Sequence, residues 1–277
     1  MSETEKLFKE SKYQSYKFKK YFKVYDELFS LYKNKKITFV EIGILNGGSL
    51  LMWKNFFGNN ARIIGIDMNP ECKKFEKDGF EIFIGDQSDP HFWKNFFEKV
   101  GKIDFILDDG GHTNKQQITT LTSCIPNVND GGMIIIEDTH TSYMTEFSNP
   151  QKYSFINFSK KLVDDLNLNS FLKSNKFKYS YNKYIYSIQY FESIAIFKIN
   201  KKLCTENVLM DNNTIRFDHK DYRYGEETKL VYLKKIHINR KLITKIINIK
   251  NILHNIIIKT FLISFGILLF IVFFTIL

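Results

Sequence analysis

Cysteine and proline are scarce in this chain, and acidic residues are absent after Glu227. The three cysteines, Cys72, Cys124 and Cys204, lie far apart in the sequence. This spacing excludes a disulfide framework and a zinc knuckle, and it favours a reduced, cytosolic setting. The N-terminus, Met1–Lys6, is polar and charged, so we expect no signal peptide there.

Positive charge is concentrated at the C-terminal end. The chain of 277 residues has a net charge of +10. Eight basic residues follow Glu227, so residues 1–227 carry only +2. Because the basicity belongs largely to this tail, it favours a membrane surface over nucleic acid, and no nucleic-acid partner is expected.

The tail itself has two patterns. Residues 242–256 carry an apolar stripe at steps of three and four with lysines beside it, which predicts a basic amphipathic helix. Residues 256–277 are apolar with Lys259 as the single charge, close to the length needed to span a bilayer core of roughly 30 Å. We expect a C-terminal hydrophobic helix that holds the N-terminal domain on the cytoplasmic side of a membrane. A buried helix, a dimer seam and an interfacial helix are the alternatives.

Short β-branched runs alternate with helical segments from residue 37 onward. An amphipathic helix over residues 4–32 precedes them, and helical residues 151–173 and a hairpin over 184–197 follow. The predicted strands are 37–42, 61–66, 80–84, 103–108 and 133–136. Five consecutive strand–helix units predict an α/β fold with a doubly wound, Rossmann-like parallel sheet and a terminal antiparallel hairpin. We divide the chain into an N-terminal helical segment (1–35), the sheet domain (36–200), a basic linker with the amphipathic helix (201–255) and the apolar helix (256–277).

Carboxylates follow two of these strands in pairs. Asp108-Asp109-Gly110-Gly111-His112 follows one strand, and Glu137-Asp138 ends the next. The carboxyl ends of parallel strands meet at one sheet edge, where open α/β sheets bind ligands. Four crowded carboxylates are costly unless a cation or ligand hydroxyls compensate. Oxygen-only ligands suit Mg²⁺ or Mn²⁺ rather than zinc, and the pattern alone leaves open which of Asp108 and Asp109 binds the ion.

The first strand leads into a glycine-rich turn, Glu41-Ile42-Gly43 to Gly47-Gly48-Ser49. Such a turn lets a ligand approach the backbone at a helix N-terminus, but it lacks the spacing of a dinucleotide turn. Asp67, roughly 20 residues further on, is placed to accept ribose hydroxyls. Asp86 and Gln87 offer groups suited to an adenine edge. The combination predicts an adenosine-type ligand.

The motifs E-I-G-x-x-x-G-G-S, G-I-D, G-D-Q, D-D-G-G-H and I-E-D-T-H-T-S-Y resemble those of class I S-adenosylmethionine-dependent methyltransferases. More narrowly, they are similar to the metal-dependent sugar O-methyltransferases of macrolide and rhamnosyl-antibiotic pathways and to the cephalosporin-hydroxylase-like group. The resemblance covers about Tyr21 to Tyr143 and fades after Pro150. It implies a methyltransferase sheet, S-adenosylmethionine, Mg²⁺ and a sugar or glycosylated small-molecule acceptor.

The resemblance also assigns roles to individual residues. It implies that the cofactor-binding residues are Glu41, Gly43, Ser49, Asp67, Asp86, Gln87 and Asp108. It implies that the metal ligands are Asp109, Glu137 and Asp138, and that His112 is the general base. A histidine side chain has a pKa suited to taking a proton from a metal-bound hydroxyl. The alternative is that His112 is a loop histidine that only caps the following helix.

The sequence therefore predicts a membrane-tethered, Mg²⁺-assisted O-methyltransferase. A hydroxylase-like oxidoreductase on the same scaffold and a non-catalytic, membrane-tethered cofactor-binding protein are the alternatives, and association into a homo-oligomer is open. A nucleic-acid amino-methyltransferase is disfavoured because Asp108-Asp109-Gly110-Gly111 stands where its N/D-P-P-Y/F motif would lie.

Overall fold

The structure, a computed structural model, describes residues 1–147, 153–168, 181–205, 210 and 212–214. The chain divides into two compact units, Met1–Leu209 and Met210–Leu277. The fold and the site described below belong to the first unit. The basic amphipathic helix and the apolar helix that the sequence predicts lie outside the described residues.

A seven-stranded sheet forms the centre of the first unit. Its strands are β1 (Thr38–Ile42), β2 (Arg62–Asp67), β3 (Glu81–Ile84), β4 (Ile103–Asp108), β5 (Val128–Ile136), β6 (Ile185–Phe191) and β7 (Ile194–Ile199). The helices are α1 (Glu3–Lys9), α2 (Lys19–Phe29), α3 (Gly48–Phe57), α4 (Pro90–Val100), α5 (Asn114–Cys124) and α6 (Phe155–Leu168). A 3₁₀ segment over Pro70–Asp78 stands between β2 and β3.

The strand order is β3-β2-β1-β4-β5-β7-β6. The first five strands in this order are parallel, and β7 pairs antiparallel with both β5 and β6. Asp108 pairs in register with Ile42 on one side and with Ile136 on the other. The predicted Rossmann-like sheet with a terminal antiparallel hairpin is thus confirmed, and the carboxyl ends of β1, β4 and β5 meet at one edge.

Both faces of the sheet are covered, as its apolar strands require. On one face α2 and α3 pack a group of aromatic rings, in which Phe29 lies 5.6 Å from Trp53 between ring centroids. On the other face Trp93 and Phe96 of α4 pack with the apolar residues of α5. These two cores hold the sheet edge rigidly, which fixes the side chains that project from it.

The N-terminus differs from the single helix predicted over residues 4–32. The structure has two helices, α1 and α2, joined by a non-helical segment over residues 10–18. Apolar periodicity is strong only within α2, where Tyr21, Tyr25 and Phe29 are buried against the sheet. The connecting segment carries few apolar residues, so no continuous apolar stripe stabilises a helix there.

The glycine pair Gly131-Gly132 lies inside β5, whereas its sequence predicts a turn before a strand. The β4–β5 register shifts between Ile103 and Phe105, and Gly131 takes a φ of +89°. Extra residues in one strand of a pair are accommodated by a bulge, which often uses a glycine in this conformation. The strand therefore starts earlier than its apolar run suggests.

Among the helices of the described residues, none is both long and apolar enough to cross a membrane.

Candidate active site

A cleft of about 600 Å³ opens at the carboxyl edge of the sheet. It is lined by Ser15, Tyr16, Lys17, Phe18, Tyr21, Ile42, Gly43, Leu45, Asp67, Met68, Gly85, Gln87, Asp109, Gly110, Gly111, His112, Gln116 and Asp138. Its lining combines residues at or after the ends of the five parallel strands with the segment that joins α1 to α2. Clefts at this position are the usual ligand sites of open α/β sheets.

The glycine-rich turn forms one wall of the cleft. Gly43 has a φ of +82°, and a Cβ there would lie 2.0 Å from the carbonyl oxygen of Asp109. Gly47, also in the left-handed region, is the N-cap of α3. The turn therefore packs its backbone directly on the loop after β4, which only glycine allows at residue 43.

Asp67, at the end of β2, lines the cleft. Its Oδ2 accepts a hydrogen bond from the backbone N–H of Leu45 (3.1 Å), and its Oδ1 accepts one from Asn69 (2.9 Å). These bonds fix the carboxylate beside the glycine-rich turn. The neighbouring Met68 is largely exposed in the same wall and offers an apolar surface for a flat ring.

Gln87 and Asp108 form a buried pair beneath the cleft. Gln87 Nε2 donates to both carboxylate oxygens of Asp108, at 2.8 and 2.9 Å, and to Thr120 Oγ1 at 3.1 Å. Gln87 Oε1 accepts from the N–H of Gly111 at 3.0 Å. Burial raises the pKa of Asp108, against the opposing hydrogen bond from Gln87. The polar groups of this pair are therefore used to hold the loop that carries Asp109 and His112.

Three groups that could hold a metal ion converge on the opposite wall. One ligand atom from each of Asp109, His112 and Asp138 lies within 4.8 Å of the others. His112 Nε2 lies 3.5 Å from Asp138 Oδ2, and Tyr21 donates its hydroxyl proton to Asp138 Oδ1 at 2.5 Å. All three groups are partly exposed to the cleft, so a ligand can reach them.

His112 and Asp138 share an unusual backbone conformation. Their φ angles are +59° and +52°, in the left-handed region that non-glycine residues seldom adopt. Strained backbone of this kind costs of order 1–3 kcal/mol and concentrates at functional sites. Both residues point into one cleft, which makes the strain a further mark of a site.

Glu137 faces the protein interior and not the cleft. It is fully buried, with Oε1 accepting from the Tyr25 hydroxyl and Oε2 accepting from Lys17 Nζ at 3.1 Å. Burial raises the pKa of Glu137, against the opposing attraction of Lys17. The carboxylate next to it in sequence, Asp138, is the one that reaches the cleft.

The remaining predicted residues are not among those that line the cleft. Glu41 is fully buried at the end of β1 with Oε1 3.2 Å from Lys17 Nζ, and Ser49 is buried in the first turn of α3. Asp86 binds the N–H and hydroxyl of Ser88. Of the predicted site residues, the cleft brings together Gly43, Asp67, Gln87, Asp109, His112 and Asp138.

Sequence reasoning misses Lys17, Tyr21, Met68 and Gln116 as cleft residues. The spacing of Tyr21 indicates only a place in an amphipathic stripe. Lys17 lies in a segment with many lysines, so nothing in the pattern distinguishes it from a solvated surface lysine. Met68 follows Asp67 directly, and that adjacency is the one signal that points to it.

Comparison with known proteins agrees with this geometry. Residues 40–139 match a family model described as a methyltransferase domain. A demethylmacrocin O-methyltransferase of Streptomyces fradiae is 34% identical over 154 residues, which are 51% of this chain and 38% of that protein. An 8-demethyl-8-alpha-L-rhamnosyl tetracenomycin-C 2'-O-methyltransferase of Streptomyces olivaceus is 31% identical over 53% of this chain and 41% of that protein. The matched part of the chain thus spans about two fifths of the length of these curated relatives.

Solved structures also show that this fold is similar to that of methyltransferases. The MycE methyltransferase of the mycinamycin biosynthetic pathway, in complex with Mg, SAH and mycinamycin VI, superposes with a TM-score of 0.65. It is 25% identical and covers 72% of this chain and 53% of its own. The predicted resemblance to S-adenosylmethionine-dependent methyltransferases, and to sugar O-methyltransferases among them, is therefore confirmed, and residues 40–139 are the part of the chain that matches the methyltransferase-domain model.

Proposed function

We propose that this chain is an S-adenosylmethionine-dependent, Mg²⁺-assisted O-methyltransferase that acts on a hydroxyl of a sugar or glycosylated small molecule. The observation that carries the proposal is one cleft that holds both halves of such a reaction. Gly43 and Asp67 line one side, and Asp109, His112 and Asp138 line the other. The names of the curated relatives, which are sugar O-methyltransferases, support the choice of acceptor.

On the cofactor side, Asp67 supplies a fixed carboxylate that can accept hydrogen bonds from ribose hydroxyls. The backbone at Gly43 leaves no side chain between the ligand and the loop after β4. Met68 presents an apolar surface beside Asp67, where an adenine ring could pack. This combination of a carboxylate, a bare backbone and an apolar surface fits a nucleoside better than a simple sugar or a peptide.

On the acceptor side, the donor set fits a hard divalent cation. Asp109 and Asp138 supply carboxylate oxygens at the cleft surface, and these would hold Mg²⁺. A bound Mg²⁺ would supply a Lewis acid that lowers the pKa of a sugar hydroxyl and orients it. The third group of the cluster, His112, has an Nδ1 that makes no hydrogen bond within the described residues.

His112 would act as the general base. Methyl transfer forms a bond between the hydroxyl oxygen and the methyl carbon as the carbon–sulfur bond breaks, and the hydroxyl proton must go to a base. An imidazole nitrogen is suited to accept this proton, and His112 lies beside the two carboxylates that would orient the acceptor. The left-handed backbone at residue 112 holds the ring in this place.

The test combines binding and turnover. The full chain is titrated with S-adenosylmethionine by calorimetry, with NAD as the competing ligand, and then assayed for transfer of a labelled methyl group to rhamnosylated acceptors with Mg²⁺ or EDTA. We expect micromolar binding of S-adenosylmethionine, at least tenfold weaker binding in Asp67→Ala, and labelled product that EDTA suppresses. A preference for NAD, or product formation that needs oxygen and iron, would favour the hydroxylase-like alternative instead. Cofactor binding that His112→Ala leaves intact, without turnover on any acceptor, would favour a non-catalytic protein.

We propose further that residues 242–277 tether this domain to the cytoplasmic face of a membrane. The support is the sequence alone: a basic amphipathic stripe followed by the apolar run from residue 256. The full chain should float with vesicles that contain anionic lipid, and a chain ending at Glu227 should stay in the dense fraction. Equal behaviour of the two chains would refute the tether and leave the methyltransferase proposal untouched.

A further inference from the structure

Lys17 is a buried lysine in the carboxylate cluster. Its side chain is 1% exposed, and its ammonium lies 2.7 Å from Asp109 Oδ2, 3.1 Å from Glu137 Oε2 and 3.2 Å from Glu41 Oε1. A buried lysine is rare unless its charge is paired. Here three carboxylates from the ends of β1, β4 and β5 share one ammonium.

The chain fixes this placement on both sides of Lys17. Before it, the Ser11 hydroxyl donates to the carbonyl of Gly48 (3.0 Å) and the Tyr13 hydroxyl donates to Asp78 Oδ2 (3.0 Å). After it, α2 is packed on the sheet through the buried rings of Tyr21 and Tyr25. A segment tied at both ends has little freedom to withdraw the lysine from the cluster.

The carboxylates near the cleft differ in their contacts with Lys17. Glu137 has one oxygen bound by Lys17 and the other by the Tyr25 hydroxyl, so both are occupied. Asp109 gives Oδ2 to Lys17 and also belongs to the group that faces the cleft. Asp138 has no contact with Lys17 among the ion pairs and hydrogen bonds of the described residues, and it reaches the cleft with His112.

We propose that Lys17 is a positioning residue that serves as a built-in counter-ion of the site. It holds Glu41 and Glu137 away from the divalent ion and leaves the ion to Asp109 and Asp138. It thereby turns the four carboxylates of Glu41, Asp109, Glu137 and Asp138 into a site for one ion of moderate affinity. This inference rests on the proposed function of the cleft, since it concerns the ion that the methyl transfer would use.

The reason is electrostatic. An ammonium close to the ion repels it, and in a partly buried site this repulsion is far less screened than in water. Removing the Lys17 charge has two effects: it frees the Glu137 carboxylate to act as a ligand, and it removes the repulsion of the ion. The expected effect on the ion's affinity is therefore large, at least tenfold.

The experiment is a titration of the full chain with Mn²⁺ in the absence of cofactor and acceptor. Free Mn²⁺ is measured at each step by its electron paramagnetic resonance signal. Lys17→Met is compared with Lys20→Met, which removes an exposed lysine of α2 that pairs with Glu192 on the surface. We expect Lys17→Met to bind Mn²⁺ at least tenfold more tightly and Lys20→Met to match the unmodified chain. Unchanged or weaker binding in Lys17→Met would overturn the proposal.

Glu137→Gln provides a second measurement, made in both backgrounds. In the unmodified chain it should weaken Mn²⁺ binding only a few-fold, much less than Asp138→Asn does. In the Lys17→Met background the same substitution should weaken Mn²⁺ binding at least tenfold, because the freed carboxylate has become a ligand. Such non-additivity reports a direct coupling between residues 17 and 137. An effect of Glu137→Gln in the unmodified chain as large as that of Asp138→Asn would show that the ion displaces Lys17, and it would also overturn the proposal.

Loss of the ammonium leaves buried carboxylates without a cation, so Lys17→Met can lower the melting temperature. In that case Mn²⁺ should raise the melting temperature of Lys17→Met by more than it raises that of the unmodified chain. A Lys17→Met chain that Mn²⁺ stabilises no further would contradict the proposal. Calorimetry with S-adenosylmethionine on the same samples tests the methyltransferase function separately, because its failure would leave the Mn²⁺ result standing.

Discussion

Gln87 binds Asp108 beneath the cleft, and its amide nitrogen donates to both carboxylate oxygens at 2.8 and 2.9 Å. Both residues are buried, and the same glutamine accepts from the N–H of Gly111. The family resemblance assigns the pair to the cofactor. Its hydrogen bonds also fix the loop that presents Asp109 and His112.

Gln87→Ala should therefore destabilise the fold. It leaves the buried Asp108 carboxylate without its amide donor, and an unsatisfied buried group costs about 1–3 kcal/mol, more if charged. We expect the free energy of unfolding in urea to fall by about 3 kcal/mol. Thr120→Val removes one 3.1 Å hydrogen bond from the same amide and should cost only about 1 kcal/mol. Equal losses of unfolding free energy in the two variants would mean that the hydrogen bonds from Gln87 to Asp108 are not the main stabilising contact of this glutamine.

Gly43→Ala should abolish cofactor binding and lower stability. The added Cβ would lie 2.0 Å from the carbonyl of Asp109, so the turn and the loop after β4 must separate. Gly131→Ala is the matched control, because Gly131 has a similar φ of +89° but open space around its Cβ. Both variants bear the left-handed penalty of about 1–2 kcal/mol. Calorimetry should show lost S-adenosylmethionine binding in Gly43→Ala alone, and comparable losses in both would assign the effect to φ instead of contact.

His112→Ala should reduce methyl transfer by about 10²–10⁴-fold, the usual contribution of a general base. Because the ring lies beside Asp138, the same variant also distinguishes a base from a metal ligand. Retained Mn²⁺ affinity with lost turnover indicates a base. A parallel loss of Mn²⁺ affinity would indicate a ligand and contradict the proposed role. His91→Ala, at the exposed start of α4, is the control and should leave both quantities unchanged.

Cys72 should resist alkylation at pH 8. Burial raises the pKa of its thiol to about 11, and Asp67 adds to the shift. The reactive thiolate is then only about 0.1% of the thiol at pH 8, and it should increase about tenfold with each pH unit up to that pKa. Iodoacetamide labelling resolved by mass spectrometry should modify the more exposed Cys204 first. Circular dichroism should confirm that the fold persists at each pH, and rapid labelling of Cys72 at pH 8 would contradict the shift.

The sheet is predictable from the sequence because its strands are short apolar runs that end in turn residues. The same rule predicts that Asp67, Asp109, His112 and Asp138 share one edge, and the cleft brings them together. The orientation of each side chain does not follow from this rule. Glu137 and Asp138 are neighbours in sequence, yet one faces the interior and the other the cleft, because Asp138 turns into the left-handed region at the end of β5.

Long-range pairing is equally invisible in the sequence. Lys17 meets Glu137 across 120 positions of the chain, and no local pattern marks a lysine for burial. Periodicity predicts the segment that carries Lys17 as part of one helix. Its actual form follows from tertiary bonds, such as that between Ser11 and Gly48, which periodicity does not encode.

The placement of Lys17 also bears on what counts as the smallest working piece of this protein. The carboxylates come from the sheet, whereas their counter-ion comes from a segment before residue 35, so a fragment that begins at residue 36 would expose the acidic edge without its cation. The N-terminal segment is then required for the site, and the sheet domain without it is not a functional unit. Fusions, truncations or proteolytic cuts in residues 10–18 should consequently act on the site as directly as a substitution within it.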